Sequence, residues 1–232
     1  MKYKLKIIDI NEEAQGTKTY YFEKPEGFVW EAGANIHVGL VGFDQGEKPN
    51  KELVRHMSII TLPEENRIGI TTRVPGSSSV FKKRLSELKI GDELVIFKLG
   101  TRMSLRRSGK PVILISMGVG ISAMRSLILS YIDNREGIPN IVNINVDSSG
   151  FIYKKDLDKL TNDSYGNYWL SSRKAFYEIL KNIANIEGGI YYVVGSDPFI
   201  SEVIGMLNEH KIKRENIIID KKQEDLDRYW GF

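Results

Sequence analysis

Polar and apolar positions alternate through the first hundred residues, and beyond them solid apolar runs take turns with helical stripes. Tyr3, Leu5 and Ile7 are interleaved with lysines. Residues 19–22, 36–41, 54–60, 67–74 and 94–97 follow as short β-branched or aromatic runs bounded by turn residues. Six such strands predict a small antiparallel Greek-key β-barrel. One helix interrupts them. Ser77, Ser78 and Ser79 offer caps after Pro75-Gly76, and Val80, Phe81, Leu85 and Leu88 share one side of the turn that follows. Gly91-Asp92 then leads into the last barrel strand.

From residue 111 the pattern changes. The run 112–117 is β-branched and uncharged, which suits a strand buried on both faces of a parallel sheet. Gly118-Val119-Gly120 follow directly, and Ala123, Met124, Leu127, Ile128, Tyr131 and Ile132 then fall on one helix face. The unit recurs as 141–146 with a helix over 153–160, as 168–170 with Ala175, Phe176, Ile179, Leu180 and Ile183 on a helix, as 190–194 with a helix over 199–207, and ends with 217–219. Five parallel strands with intervening helices predict a doubly wound α/β sheet. The polar, basic stretch 100–110 separates the halves, giving a barrel domain over 1–108 and an α/β domain over 109–232.

A length of 232 residues accommodates both domains. The chain has no cysteine, which excludes disulfides and thiolate metal centres. His37, His56 and His210 lack zinc-site spacing. There is no apolar run near the membrane-spanning length of about 18 residues and no leader pattern, so no membrane span and a cytoplasmic location are expected. The net charge of +3 is small and evenly spread, which argues against a nucleic-acid partner. The clusters Lys82-Lys83-Arg84 and Arg102, Arg106, Arg107, Lys110 read as solvated faces.

Candidate chemistry gathers where strands end. A glycine turn between a buried strand and a helix, here Gly118, Val119, Gly120 and Ile121, brings backbone N–H groups and a positive dipole end toward a phosphate, so a dinucleotide is the natural guest. The alternative is a tight turn without a ligand. Ligands of doubly wound sheets lie at the carboxyl ends of the strands, which here carry Asp147, then Ser172, Arg173 and Lys174, then Gly195, Ser196 and Asp197. In the barrel, Arg55 and Met57 share one face of their strand and His56 and Ser58 the other. Arg55 facing a helix start at Ser77, Ser78 and Ser79 makes either a two-sided phosphate clamp or a surface arginine beside an ordinary cap. The terminal aromatics either stack on a planar ring or fray.

Arg55-x-x-Ser58, Gly76-x-x-Ser79, Gly118-x-Gly120, Val194-Gly195-Ser196-x-Pro198 and a terminal Trp-Gly-Phe, in that order, resemble the ferredoxin-NADP reductase superfamily of flavoproteins over nearly the whole chain. The resemblance implies FAD in the barrel and NADPH or NADH in the second domain. It implies Arg55, with Gly76 and the Ser77, Ser78, Ser79 helix start, on the flavin pyrophosphate. Thr72, Arg73 and Val74 would border the ribityl or adenine end. Met57 and Ser58 would lie at the isoalloxazine, with Trp230 or Phe232 over it, so that Met57, Ser58 and Phe232 flank the hydride path. Several positions depart from the family: Met57 replaces an aromatic residue, Val119 a threonine, Ala123 or Met124 a proline, and the 194–198 loop lacks cysteine.

The implied activity is hydride transfer from NAD(P)H to FAD, with electrons passing to a small carrier such as ferredoxin or flavodoxin, or to a small-molecule acceptor. An NAD(P)H:flavin reductase with loosely held flavin and a nucleotide-binding electron-transfer subunit without its own turnover are the alternatives. Cofactors carry such chemistry, so no acid, base or nucleophile is required of the chain. For coenzyme choice, Asp147 favours a free ribose and NADH, whereas Ser172-Arg173 stands where the family's NADPH-dependent members bind the 2′-phosphate. The second signal offers more groups, so NADPH is expected.

Overall fold

A computed structural model describes all residues except Ala184, Asn185, Glu187, Gly231 and Phe232. The chain divides into two compact units, Met1–Thr101 and Arg102–Phe232.

The first unit is an antiparallel barrel of six strands: β1 (Lys2–Ala14), β2 (Thr17–Glu23), β3 (Ala34–Leu40), β4 (Val54–Ser58), β5 (Arg67–Arg73) and β6 (Glu93–Thr101), in the order β4-β3-β6-β1-β2-β5. Period-two patterning builds its core. Leu5 and Ile7, Tyr20 and Phe22, Ile36 and Val38, Ile68 and Ile70, and Leu94 and Ile96 all point inward. Ile59 and Ile60, expected inside a strand, lie just past β4 and help draw the ends of the sheet together. Ile59 N–H donates to Ala34 O of β3 at 2.9 Å, and Ile60 N–H to Gly69 O of β5 at 2.9 Å.

Helix α1 (Val80–Glu87) covers this core with Phe81 and Leu85. Burying two such side chains contributes roughly 1.5–3 kcal/mol each. Val80, expected on the packed side, is instead exposed, because it opens the helix ahead of the first inward position.

The second unit is a five-stranded parallel sheet in the order β11-β10-β7-β8-β9, comprising β7 (Val112–Met117), β8 (Ile141–Val146), β9 (Tyr165–Leu170), β10 (Ile190–Val194) and β11 (Ile217–Ile219). Its helices are α2 (Ile121–Asp133), α3 (Lys154–Asp158), α4 (Arg173–Ile183) and α5 (Asp197–Glu209). Helices α4 and α5 bury Phe176, Leu180, Phe199, Val203 and Leu207 against Ile113, Ile115, Ile144 and Val193 on one face. Helix α2 packs on β7 and β8. The strand order reverses between β7 and β10, so the switch point lies at their carboxyl ends.

Two differences from the sequence expectations have local causes. β9 begins at Tyr165 rather than 168, because Gly166 and Asn167 are poor strand formers that pairing with β8 overrides; the Asn143 amide donates to Asn167 Oδ1 at 2.9 Å. Helix α3 is only five residues long, entered through a left-handed Tyr153 at φ 59°. Among the described residues no helix is long and apolar enough to cross a membrane.

Candidate functional site

In the barrel unit the structure brings Arg55 to the start of α1. Gly76 adopts φ 74°, a left-handed turn that a side chain would strain, and so redirects the chain into the serines. Ser77 Oγ accepts from Ser79 N–H at 3.2 Å. Ser79 is the N-cap: its Oγ accepts from Lys82 N–H at 3.4 Å and from Arg55 Nη2 at 2.9 Å. Arg55 also donates to Val54 O at 2.7 Å, and its guanidinium lies 5.9 Å from the Phe81 ring centroid. Ser78 is exposed and Arg73 Nε donates to Thr17 Oγ1 at 2.9 Å.

Lys82 was read from sequence as part of a solvated face, yet it is half-buried beside this corner. Burial, and then the positive charges of Arg55 and Arg73, hold its amine below the ordinary lysine range. Three cations and the positive end of a helix therefore share one place, an arrangement that a pyrophosphate neutralises. The signal in the sequence was Lys82 standing three residues after the cap.

The remaining barrel candidates are less open. Met57 is half-buried and packs against the barrel core, as expected for a residue paired with the buried Ile36. Ser58 pairs with Asn35 of β3, whose Oδ1 lies 2.6 Å from His56 Nε2 and whose Nδ2 is buried with no partner. Thr72 is buried within β5, and Val74 N–H donates to Gly16 O at 3.0 Å.

In the second unit the glycine turn sits at the switch point. Gly118 to Gly120 form a 3-10 turn running into α2. A β-carbon on Gly120 would stand 2.8 Å from Val194 O of β10, so only glycine lets the turn approach the neighbouring strand end. Asn145 of β8 holds the turn from beneath: its Nδ2 donates to Ser116 Oγ at 2.9 Å and to Gly118 O at 3.2 Å. Sequence reasoning passed over this residue, although an asparagine in an apolar run was the clue. Ile121 was expected beside a cofactor at this turn. Its side chain is core, and its N–H donates to the Gly118 and Val119 carbonyls.

The other strand ends are partly committed. Asp147 is buried rather than solvent-directed, and Oδ1 accepts from Ser149 N–H at 2.8 Å. Ser172 Oγ accepts from Ala175 N–H at 3.3 Å, which makes it a helix cap. Arg173 Nη1 lies 3.2 Å from Glu202 Oε2. Gly195 and Ser196 lead into α5, with Ser196 making no side-chain cap bond.

Asp197, expected at the nucleotide, is bound by the end of the chain. Lys221 Nζ and the Tyr229 hydroxyl reach Oδ1 at 2.6 and 2.7 Å, and Arg228 Nη2 reaches Oδ2 at 3.1 Å. These donors, Lys221 first, hold its carboxyl below the usual carboxylate range. Trp230 is partly buried against the core of its own unit, with the Arg214 guanidinium 4.6 Å from its ring centroid. Phe232 lies outside the described residues.

In the second basic cluster Arg106 and Arg107 are exposed, as expected, yet their guanidinium groups bond backbone carbonyls. Arg107 staples three backbone carbonyls, of Ser130, Asn134 and Glu136, and Arg102 pairs with Asp220 at 3.8 Å.

No family model matches the chain. A flavohemoprotein of Pseudomonas putida is 25% identical over 135 residues, 57% of this chain, and the match spans 33% of that protein's length. Among solved structures, a ferredoxin NADP+ reductase from Neisseria gonorrhoeae, with bound FAD and NADP, superposes with TM-score 0.79 at 14% identity, covering 94% of this chain and 98% of that one. A cytochrome P450 reductase from Amycolatopsis gives TM-score 0.77 at 13% identity over 95% of this chain and 70% of that one. The chain has the two-unit fold of the ferredoxin-NADP reductase superfamily, as the sequence motifs implied.

Proposed function

We propose that this chain is a flavin- and nicotinamide-dependent oxidoreductase of ferredoxin-NADP reductase type, with FAD in the barrel unit and NAD(P)H in the α/β unit. The observation that carries the reading is the Arg55 to Ser79 hydrogen bond of 2.9 Å at a helix start that Lys82 and Arg73 also approach. Bound there, FAD supplies the acceptance of a hydride from NAD(P)H and the return of two electrons to an acceptor.

The chain's own part is binding and orientation. Arg55, Lys82 and the α1 N-terminus neutralise the pyrophosphate. Gly120 lets the second phosphate-binding turn close on β10, and Asn145 holds the carbonyl of Gly118. The acceptor expected from the sequence motifs is a small electron carrier such as ferredoxin or flavodoxin.

A second reading, an NAD(P)H:flavin reductase that releases reduced flavin, is favoured by Met57. Half-buried against the core, it offers less stacking area than an aromatic side chain and would hold a flavin loosely. The absorption spectrum of the purified protein tests both. Retained flavin bleached by NAD(P)H supports the first reading; a colourless protein that oxidises NAD(P)H only with added flavin supports the second. A protein with neither property is not a reductase of this kind.

A further inference from the structure

Arg173 opens α4 at the carboxyl edge of the sheet with its guanidinium already engaged. Nη1 meets Glu202 of α5 at 3.2 Å, and Nη2 lies 3.9 Å from the sulfur of Met117, the residue before the glycine turn. The adjacent Ser172 hydroxyl is occupied as a helix cap. Glu202 also neighbours Tyr177, whose hydroxyl is pushed up to about 12, by burial first and then by this carboxylate. Tyr177 therefore keeps its proton, and the carboxylate paired with Arg173 is that of Glu202.

Resting on the dinucleotide reading, we infer that Glu202 is a specificity-determining residue, which, by neutralising Arg173, sets how strongly this chain prefers a 2′-phosphate to a free ribose. A phosphate approaching Arg173 meets an ion pair of zero net charge rather than a cation. To bind, it must draw the guanidinium from Glu202 and leave a carboxylate beside a dianion, a like-charge arrangement that costs free energy. A coenzyme without the phosphate demands no such exchange. The buried Asp147 at the end of β8 adds a second negative charge on the same edge of the sheet. Arginine at this place thus does not by itself commit the chain to NADPH.

The pair is substantially exposed, at 55% and 42% of its two side chains, so water screens it and the effect is modest. Titration calorimetry of the full chain with adenosine 2′,5′-bisphosphate and with 5′-AMP isolates the 2′-phosphate. Glu202→Gln should bind the bisphosphate about three- to fivefold more tightly than wild type, with 5′-AMP unchanged. The gain should vanish when Glu202→Gln is placed on an Arg173→Ala background, an outcome a merely structural role for Glu202 does not produce. Unchanged bisphosphate affinity in Glu202→Gln, with 5′-AMP still bound, overturns the inference. So does a gain that persists without Arg173. Failure of every variant, and of wild type, to bind either nucleotide removes the dinucleotide reading itself and the inference with it.

Discussion

The Tyr229 hydroxyl donates to Asp197 Oδ1 at 2.7 Å and so ties the last turn of the described chain to the first residue of α5. Tyr229 is buried, whereas Asp197 is half exposed and shared with Lys221 and Arg228. Its folded carboxyl titrates below the ordinary value of about 3.9. A depressed carboxylate stabilises the fold above its unfolded pKa and loses that contribution as pH falls through the folded one. Asp197→Asn should lower the melting temperature at neutral pH, and the difference from wild type should shrink below about pH 4. Thermal scans across that range check it, and a gap that stays constant into acid counts against the latch.

Arg55→Glu places a carboxylate at the helix start where a pyrophosphate is expected. Flavin content of the purified variant should fall to near zero with the circular dichroism spectrum retained. Lys82→Ala should weaken flavin binding about tenfold, the scale of one charge-assisted hydrogen bond, and flatten its salt dependence. Full flavin occupancy in a folded Arg55→Glu protein removes that residue from the site.

Gly120→Ala drives a methyl group into the Val194 carbonyl at 2.8 Å. Backbone cannot step aside as a flexible side chain can, so a destabilisation of about 1–3 kcal/mol is expected by urea melting, together with a raised KM for NAD(P)H. An unperturbed midpoint would show that β10 and the turn separate freely.

Arg173→Ala should raise KM for NADPH by about tenfold or less and leave KM for NADH nearly unchanged, since only the phosphate demands the guanidinium. Steady-state kinetics with both coenzymes decide it. Equal effects on the two would place Arg173 outside the ribose pocket.

Removing Gly231 and Phe232 spares the buried Tyr229 and its bond to Asp197. If Phe232 covers the isoalloxazine, the truncated protein should show a shifted flavin spectrum and a changed KM for the dinucleotide. Identical spectra and kinetics would leave the terminal aromatic without a part in the site.

The sequence by itself determined both architectures. Period-two alternation in β1, β2, β3, β5 and β6 puts Leu5, Tyr20, Ile36, Ile68 and Leu94 on the inward faces of their strands, and the run 112–117 followed by glycines suits a buried strand turning into a helix. It also showed Arg55 and Ser79 as possible partners, because a cap serine and a strand arginine carry their chemistry in their identity. What only the tertiary structure decided was which groups remain available. Lys82 joins the candidate phosphate corner because the barrel places Arg55 and Arg73 close to it. Asp197 and Arg173, each a good ligand in isolation, are claimed by Tyr229, Lys221, Arg228 and Glu202 from distant parts of the chain. Hydrogen bonds and ion pairs between remote elements leave no periodic trace, so the allocation of polar groups, unlike the hydrophobic pattern, becomes legible only when the chain is folded.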